Sequence, residues 1–408
     1  MHFPLIDGLG DAGAREAIGL DAAVLSGLDQ VIATHLAENR YPGCQLAIAW
    51  QGRLLVDRSY GFARKGTGLG VDEDPWGTGD VQGLDDEELP AAPETLWVLY
   101  SNTKMLIAAC LWQLAEHGAL RFADPVAAYL PGFARYGKQP VTLLHLITHQ
   151  AGFPGAEAPA ALWSDRARIL AFYEEVVPAW EAGSKVHYHP LSAHWVLALV
   201  IEAVTGLDFR EAVLDRVIRP LGLEGELVMG LGKEHLARMA FLYEPDPLHP
   251  ECLRLRAESL SAIWQRSAVP GGGAYGTARG MAALYQAMLL GGRLGGTSWI
   301  SQRTLSYAIR NYTGDRPDEF MGMPMHRGLG PHLRGASAAI RGLGDIAPQQ
   351  TFGHGGVGSS YCWGDPTSGV SFAYLSNARS PEPWHSHRMN QLSNRIHAAI
   401  DPVRAGGR

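Results

Sequence analysis

The most continuous apolar stretch of the chain runs from Met105 to Ala115, shortly after Ser101 and Lys104. A helix that is apolar on almost every face is buried on all sides, whereas a surface helix keeps one polar face. Gly118 follows the stretch and is placed to end the helix. We therefore predict a buried helix that begins near Ser101 and presents Lys104 on the same face, one turn further on.

Strand patterns occur at both ends of the chain, and helical patterns flank them. The predicted strands are at 44–50, 54–60, 350–352, 360–364 and 370–376, and the flanking helices are at 14–38, 281–290 and 388–400. The first two strands are separated by a Gln-Gly turn and predict a β-hairpin. Together these elements predict one sheet that both ends of the chain complete.

Between the two ends, the pattern from residue 125 to residue 268 is mostly helical. Its clearest helices are at 162–173, 192–204 and 209–217. A helical block between two groups of strands predicts a discontinuous α/β domain with an inserted helical domain. The predicted boundaries are 1–124 and 269–408 for the first domain and 125–268 for the second, so the fold class is α+β.

An acidic segment with several glycines, residues 65–93, precedes the buried helix. It carries too little apolar surface to join the core, so we predict a long loop. Two interpretations stay open for this loop. It is either a solvated surface excursion or, because it leads directly to Ser101, a flap beside the site.

Composition limits the classes of function. The chain has 408 residues, of which 46% are hydrophobic and 18% charged, which suits a globular protein with a substantial core. The net charge of -7 argues against nucleic acid or an anionic membrane as a partner. The N-terminus lacks a signal-peptide pattern, and no apolar run is long enough to span a bilayer. Four scattered cysteines fit free thiols in a reducing compartment, so we expect a soluble, cytoplasmic protein.

Ser101 and Lys104 are the first candidate catalytic residues. The pattern Ser-x-x-Lys is short, and it often marks only a helix cap followed by a solvated lysine. Here the predicted helix offers Lys104 no polar face. Burial lowers the pKa of a lysine and makes it a base, and a base beside a serine hydroxyl turns that hydroxyl into a nucleophile.

Two further segments carry candidate chemistry. Tyr188 is either a packed aromatic residue or a proton relay between the serine, the lysine and a leaving group. Residues 351–359 form a glycine-dense strand, which indicates either a bulge or the close approach of a ligand or another backbone. A Gly-x-Gly-x-x-Gly pattern at 271–276 follows no predicted strand, so we do not expect dinucleotide binding.

These motifs, in this order, resemble those of the serine β-lactamase-related family. That family includes class C β-lactamases, D-Ala-D-Ala carboxypeptidases and family VIII esterases. The resemblance covers nearly the whole chain, and its segments are at 95–104, 122–131, 141–152, 188–190, 271–278 and 354–356. It implies a β-lactamase/transpeptidase-like fold, in which an antiparallel sheet is flanked by helices and joined to an inserted all-helical domain.

The resemblance also implies a role for each site residue. Ser101 is the expected nucleophile, and Lys104 with Tyr188 is the expected base system. The N–H groups of Ser101 and Val357 are the expected oxyanion hole. The expected substrate-binding residues are His189, His354, Gly355 and Gly356. The implied reaction is acyl transfer through an acyl-enzyme, with no metal and no organic cofactor.

Two positions bear on which bond is cleaved. Pro190 stands where β-lactamases have an asparagine, and His354 stands where they have the lysine of Lys-Thr-Gly. A proline side chain offers no hydrogen bond, and a neutral histidine offers no fixed positive charge for a β-lactam carboxylate. The neighbouring His189 is placed to replace part of the missing polar contact. We therefore expect a hydrolase of activated or small carboxylic esters that is a poor β-lactamase.

Three alternatives to an ester hydrolase stay open. The first is an amide-bond hydrolase of the same fold, such as a β-lactamase, peptidase or amidase. The second is an acyltransferase. The third, a catalytically inactive binding module, is disfavoured because the serine, lysine and tyrosine are all present. In each enzymatic case the expected partner is a small-molecule ester or amide.

Overall fold

The computed structural model describes residues 3–66, 88–337 and 342–400. The α-helices in these ranges are α1 (Ala12–Ala17), α2 (Ala22–Ala37), α3 (Thr103–Glu116), α4 (Leu143–Ile147), α5 (Arg166–Glu175), α6 (Ser192–Thr205), α7 (Phe209–Val213), α8 (Ala262–Ser267), α9 (Ala278–Leu289), α10 (Gln302–Ala308) and α11 (Trp384–Ala399). Most of the predicted loop at 65–93 lies outside the described residues. Its role as an excursion or a flap therefore stays a prediction.

A mainly antiparallel sheet forms the centre of the fold. The strands of the described chain are β1 (Ile6–Asp7), β2 (Gly43–Trp50), β3 (Arg53–Arg64), β4 (Leu89–Pro90), β5 (Trp97–Val98), β6 (Leu227–Met229), β7 (Tyr243–Pro245), β8 (Leu253–Leu255), β9 (Ala274–Gly276), β10 (Arg293–Leu294), β11 (Thr297–Ser298), β12 (Pro317–Asp318), β13 (Met323–Pro324), β14 (His332–Leu333), β15 (Phe352–Gly356), β16 (Ser360–Asp365) and β17 (Val370–Ser376). The central sheet has the order β1-β3-β2-β17-β16-β15-β14, with β4 paired to β3. Strands from both ends of the chain therefore complete one sheet, as the pattern predicts.

Helices cover both faces of this sheet. Side chains alternate along β2, so that Leu46 and Ile48 join the apolar cluster under α2 and α11. Ala47 and Ala49 point to the other face and join the cluster that contains α9. Their small side chains leave room for α9 to lie close to the sheet.

The buried helix after Ser101 is confirmed as α3. Its residues from Thr103 to Trp112 are all buried, and it packs against α6 within the larger apolar cluster. Its cap is His117, and Gly118 follows with a φ of +71°, as expected for a residue that ends a helix. The sequence therefore locates this helix correctly at both ends.

The single helix predicted at 14–38 is wrong, because the structure has two helices there. Gly19 adopts a φ of +80°, and a side chain on it would collide with the carbonyl of Ala399. Asp21 then caps α2 by accepting a hydrogen bond from the backbone N–H of Val24. The apolar periodicity continues across the break, so periodicity alone could not reveal it.

The segment 125–268 holds helices together with three short strands, β6, β7 and β8. β6 pairs with β9, which lies beyond the predicted boundary at 268. The boundaries of the two domains remain a prediction. Over the described part of the chain no helix is both long and apolar enough to cross a membrane. All four cysteines are free thiols.

Candidate active site

Ser101 lies in a single 3-10 turn, Tyr100–Asn102, that leads directly into α3. Tyr100 has a φ of +45°, which is a left-handed conformation that costs a residue with a side chain energy. Strained backbone of this kind is retained where the surrounding structure holds it, and it is common at active sites. Ser101 also lines a cavity of about 1180 Å³. The serine is therefore both held in place and accessible.

Lys104 is completely buried, and its Nζ atom has three oxygen neighbours. These are Ser101 Oγ at 3.1 Å, the carbonyl oxygen of Pro190 at 2.7 Å and that of Gly271 at 2.6 Å. Burial, followed by the nearby charge of Arg327, holds the pKa of Lys104 well below its usual value. A neutral amine has two protons for the two carbonyls and one lone pair for the serine. The geometry therefore suits a base that receives the proton of Ser101.

Tyr188 lies on the other side of the nucleophile. Its hydroxyl donates to Ser101 Oγ at 2.7 Å. Burial raises the pKa of Tyr188 to about 12, although the hydrogen bond with Ser101 and the charge of Arg327 oppose the increase. The phenol is therefore protonated near neutral pH and is a proton donor at rest. Of the two interpretations of Tyr188, this contact supports the proton relay.

The glycine-dense strand is β15, and it approaches the nucleophile closely. A Cβ atom on Gly356 would lie 2.6 Å from the carbonyl oxygen of Leu99, which is nearer than real contacts allow. The glycines therefore reflect close approach of one backbone to another. Val357 follows β15, is 49% exposed and lines the same cavity as Ser101. The pairing of its N–H group with that of Ser101 as an oxyanion hole remains a prediction.

His354, Gly355 and Gly356 also line this cavity, where a substrate would lie. The Nδ1 atom of His354 is 2.8 Å from the carbonyl oxygen of Gly355, so Nδ1 carries the proton. Burial lowers the pKa of His354 to about 3. The ring is therefore neutral, and it lies 4.2 Å, centre to centre, from the equally buried ring of His332.

His189 is placed differently from the other predicted binding residues. It is fully buried and lies outside the lining of the cavity. Its Nε2 atom accepts from the N–H of Phe153 at 3.2 Å, and its Nδ1 atom lies 2.7 Å from the carbonyl oxygen of His187. Both ring nitrogens therefore make hydrogen bonds to the protein backbone, and neither is available to a substrate. Its neighbour Pro190 has no side-chain hydrogen-bonding group but gives Lys104 a carbonyl oxygen.

The cavity has apolar and charged walls. Trp264 and Phe320 are among its aromatic residues. Arg256 hydrogen-bonds both Glu244 and Glu258, and Arg254 also pairs with Glu244, so two arginines balance the two carboxylates. In the part of the chain that the structure describes, no group of three potential ligands is arranged to hold a metal ion. The cavity can therefore enclose a substrate with apolar parts.

Three residues of the site were not predicted as such from the sequence. Gly271 supplies a carbonyl oxygen to Lys104 and belongs to the glycine pattern at 271–276. Asp318 accepts a hydrogen bond of 3.1 Å from the backbone N–H of Tyr188, and it forms an ion pair with Arg327. No local pattern marks Asp318 or Arg327, because their partners are distant in the chain.

The sheet order and the contacts of the serine, lysine and tyrosine define a hydrolase of the β-lactamase/transpeptidase fold. The chain belongs to the β-lactamase family, whose sequence profile matches residues 28–394. It is 26% identical to the "Esterase/beta-lactamase LipL" of Mycobacterium tuberculosis over 90% of this chain and 84% of that protein.

Two further similarities bear on the activity. The chain is 25% identical to an Escherichia coli (strain K12) protein provisionally named D-alanyl-D-alanine carboxypeptidase, over 89% of this chain and 84% of that protein. The crystal structure of a family VIII carboxylesterase superposes with a TM-score of 0.75 and 26% identity. The superposition covers 92% of this chain and 98% of the esterase. Esterase and peptidase names therefore both occur among similar proteins.

Proposed function

We propose that this hydrolase cleaves small carboxylic esters through an acyl-enzyme formed on Ser101. The single observation that carries the proposal is the environment of Lys104 Nζ. It touches Ser101 Oγ and two backbone carbonyls, and no carboxylate of the described residues pairs with it. A lysine in this setting is a base for the serine hydroxyl. Similarity to the structure of a family VIII carboxylesterase supports the choice of ester.

Acylation follows from the order of the hydrogen bonds. Lys104 takes the proton of Ser101 as Oγ attacks the ester carbonyl carbon. The negative charge that develops on the carbonyl oxygen is stabilised by the N–H groups of Ser101 and Val357. Tyr188 then gives its proton to the departing alkoxide and is reprotonated from Lys104. The ester C–O bond breaks, an alcohol leaves and the acyl group remains on Ser101.

Deacylation reverses these transfers with water in place of the alcohol. A water molecule loses a proton to the Lys104–Tyr188 pair as its oxygen attacks the acyl carbon. The bond to Ser101 Oγ breaks, and the proton returns to this oxygen. Ester and water become carboxylic acid and alcohol, and the enzyme is restored. The overall hydrolysis reaction requires no oxidant, reductant or cofactor.

Two features support esters over β-lactams as substrates. His354 lines the cavity with a neutral ring, so it places no positive charge where a substrate carboxylate would bind. Pro190 also lines the cavity, but its side chain has no group that can hydrogen-bond a substrate. A site without groups that match a substrate's polar atoms loses a few kcal/mol of discrimination. Esters require less assistance, because an alkoxide leaves more readily than an amine.

Amide hydrolysis is the second candidate, and similarity to a protein named as a carboxypeptidase favours it. Acyl transfer to an alcohol or amine acceptor uses the same acyl-enzyme. We also propose that the protein acts in the cytoplasm, because its four free cysteines suit a reducing compartment. Location is tested by fractionation of cells that express the tagged chain.

A side-by-side assay decides between the candidates. We would measure kcat/KM for a p-nitrophenyl ester, for nitrocefin and for a D-Ala-D-Ala peptide, with Ser101→Ala as the blank. Added alcohol or amine would reveal acyl transfer as a new ester or amide product. The ester should be the best substrate. A value for nitrocefin or for the peptide that exceeds the ester by tenfold contradicts the proposal in favour of amide hydrolysis.

A further inference from the structure

A buried ion pair lies directly behind the catalytic tyrosine. Asp318 and Arg327 are 0% and 1% exposed, and Asp318 Oδ2 accepts from Arg327 Nε at 3.1 Å and from Nη2 at 2.5 Å. The other oxygen, Oδ1, accepts from the backbone N–H of Tyr188 at 3.1 Å. It also accepts from the N–H groups of Phe320 and Met321. One carboxylate thus fixes the arginine and the backbone of the tyrosine together.

The arginine faces the ring of the tyrosine. Its guanidinium carbon lies 5.0 Å from the centre of the Tyr188 ring, and Lys104 Nζ lies 5.1 Å from the same centre. These are distances at which a cation interacts with an aromatic ring. The arginine guanidinium keeps its charge in proteins, whereas a buried lysine can lose its charge. The permanent cation beside this ring is therefore Arg327.

The other ionisable groups around Tyr188 and Lys104 include the imidazoles of His149, His189, His194, His332 and His354, and burial lowers the pKa of each. The rings of His149 and His354 lie 4.6 Å and 6.5 Å from that of Tyr188. Burial lowers the pKa of His354 to about 3 and moves the pKa of His149 well below its usual value. Both rings are neutral near pH 7. The carboxylate of Glu157 acts on Lys104 in the direction opposite to Arg327, since it raises the pKa of the lysine. Glu157 is exposed to solvent.

We propose that Arg327, anchored by Asp318, is a positioning residue that keeps Lys104 neutral and Tyr188 in place for proton transfer with Ser101. This inference rests on the proposed function. A fixed positive charge repels a second one, so it lowers the pKa of the lysine and favours its basic form. Burial alone acts in the same direction, and Arg327 adds to it. The hydrogen bond from the backbone N–H of Tyr188 to Asp318 holds this residue so that its hydroxyl stays within hydrogen-bond distance of Ser101 Oγ.

The test measures how fast a fluorophosphonate labels Ser101 between pH 5 and pH 10. This reaction needs the activated serine but no particular ester. In the wild type, labelling should slow toward low pH as Lys104 takes up a proton. The double variant Asp318→Asn/Arg327→Gln removes both charges and leaves neither ion unpaired. The acidic limb of its pH–rate profile, the range over which labelling slows, should move upward by up to about one pH unit. The lost Arg327 charge is the one that acts on Lys104, and loss of the Asp318 charge offsets only part of that effect.

Two further variants separate electrostatics from folding. Arg327→Lys keeps the charge, so its acidic limb should stay at the position of the wild type even though its paired hydrogen bonds are lost. Arg166→Gln is the matched control. Arg166 also lies over aromatic rings and pairs with Glu202 at 3.0 Å, but it lies outside the cavity lining. The Arg166→Gln variant should have a lower melting temperature than the wild type, and the acidic limb of its labelling pH profile should stay at the position of the wild type.

The outcomes are distinct. A folded double variant whose acidic limb coincides with that of the wild type overturns the inference, and so does an upward shift of the limb in Arg327→Lys. The second result is decisive even when the double variant does not fold. A wild-type chain that is never labelled at Ser101 instead contradicts the proposed function and, with it, the inference.

Discussion

Gly356 approaches Leu99 so closely that a Cβ atom on Gly356 would lie 2.6 Å from the Leu99 carbonyl oxygen. Leu99 is two residues before the nucleophile, and Gly356 ends β15. The same Cβ atom would lie 2.4 Å from Ser360 Oγ. The absence of a side chain thus lets the sheet edge lie against the strained turn that carries Ser101.

Gly356→Ala should therefore displace the nucleophile turn or the edge of the sheet. We expect kcat for a p-nitrophenyl ester to fall at least about tenfold, because small misplacements of reacting groups are costly. Gly10→Ala is the control, since a Cβ atom there would meet nothing within 4 Å. Equal kcat values for the two variants would show that the approach of β15 does not position the serine.

Ser101→Ala should abolish turnover. Loss of a nucleophile typically lowers kcat by on the order of 10⁶-fold. The melting temperature should change little, because only one hydroxyl is removed. Ser306→Ala, at an exposed position of α10, is the matched serine control. Substantial activity in purified Ser101→Ala protein would refute the assignment of the site.

Tyr188→Phe keeps the ring but removes the proton that reaches Ser101 Oγ and the leaving group. We expect kcat to fall by roughly 10²–10⁴, the usual range for a positioned acid or base. Tyr173→Phe is the control, because Tyr173 is also buried and its hydroxyl donates to the Ala156 carbonyl at 3.2 Å. Unchanged turnover in Tyr188→Phe would show that Tyr188 is only a packed aromatic residue and takes no part in proton transfer.

Lys104→Met should remove activity and change how stability depends on pH. The folded chain disfavours protonated Lys104, whereas the unfolded chain binds that proton up to a pH of about 10.4. Between the lowered pKa and this value the unfolded state binds more protons, so the wild type gains stability as pH rises. Urea unfolding at several pH values should show this slope in the wild type and a smaller one in Lys104→Met.

Lys138→Met provides the activity control for Lys104→Met. Burial lowers the pKa of Lys138 too, so this variant should also lose part of the pH slope. Lys138 is also buried, and its amine donates to the carbonyls of Glu174 and Val176, but it contacts no serine. This variant should keep its activity while it loses stability. Identical pH slopes in the wild type and in Lys104→Met would mean that Lys104 is protonated in the folded chain and is not the base.

Local pattern predicts the parts of this protein that depend on neighbouring residues. The unbroken apolar run predicts α3 and its burial, and alternating segments predict the hairpin of β2 and β3. The spacing of three residues predicts that Lys104 faces Ser101, which lies in the turn just before that helix. The break between α1 and α2 was missed, because it depends on a glycine that lies against the distant residue Ala399.

What the sequence determines by itself is the set of chemical groups, the short-range spacing between them and the helix that carries the lysine. Tertiary structure decides whether Lys104 is a base. The carbonyls that hold its amine belong to Pro190 and Gly271, and the charge that disfavours its protonation belongs to Arg327. A pKa depends on desolvation and on charges within a few ångströms in space. Those distances are set only when remote segments pack together, so no local pattern contains them.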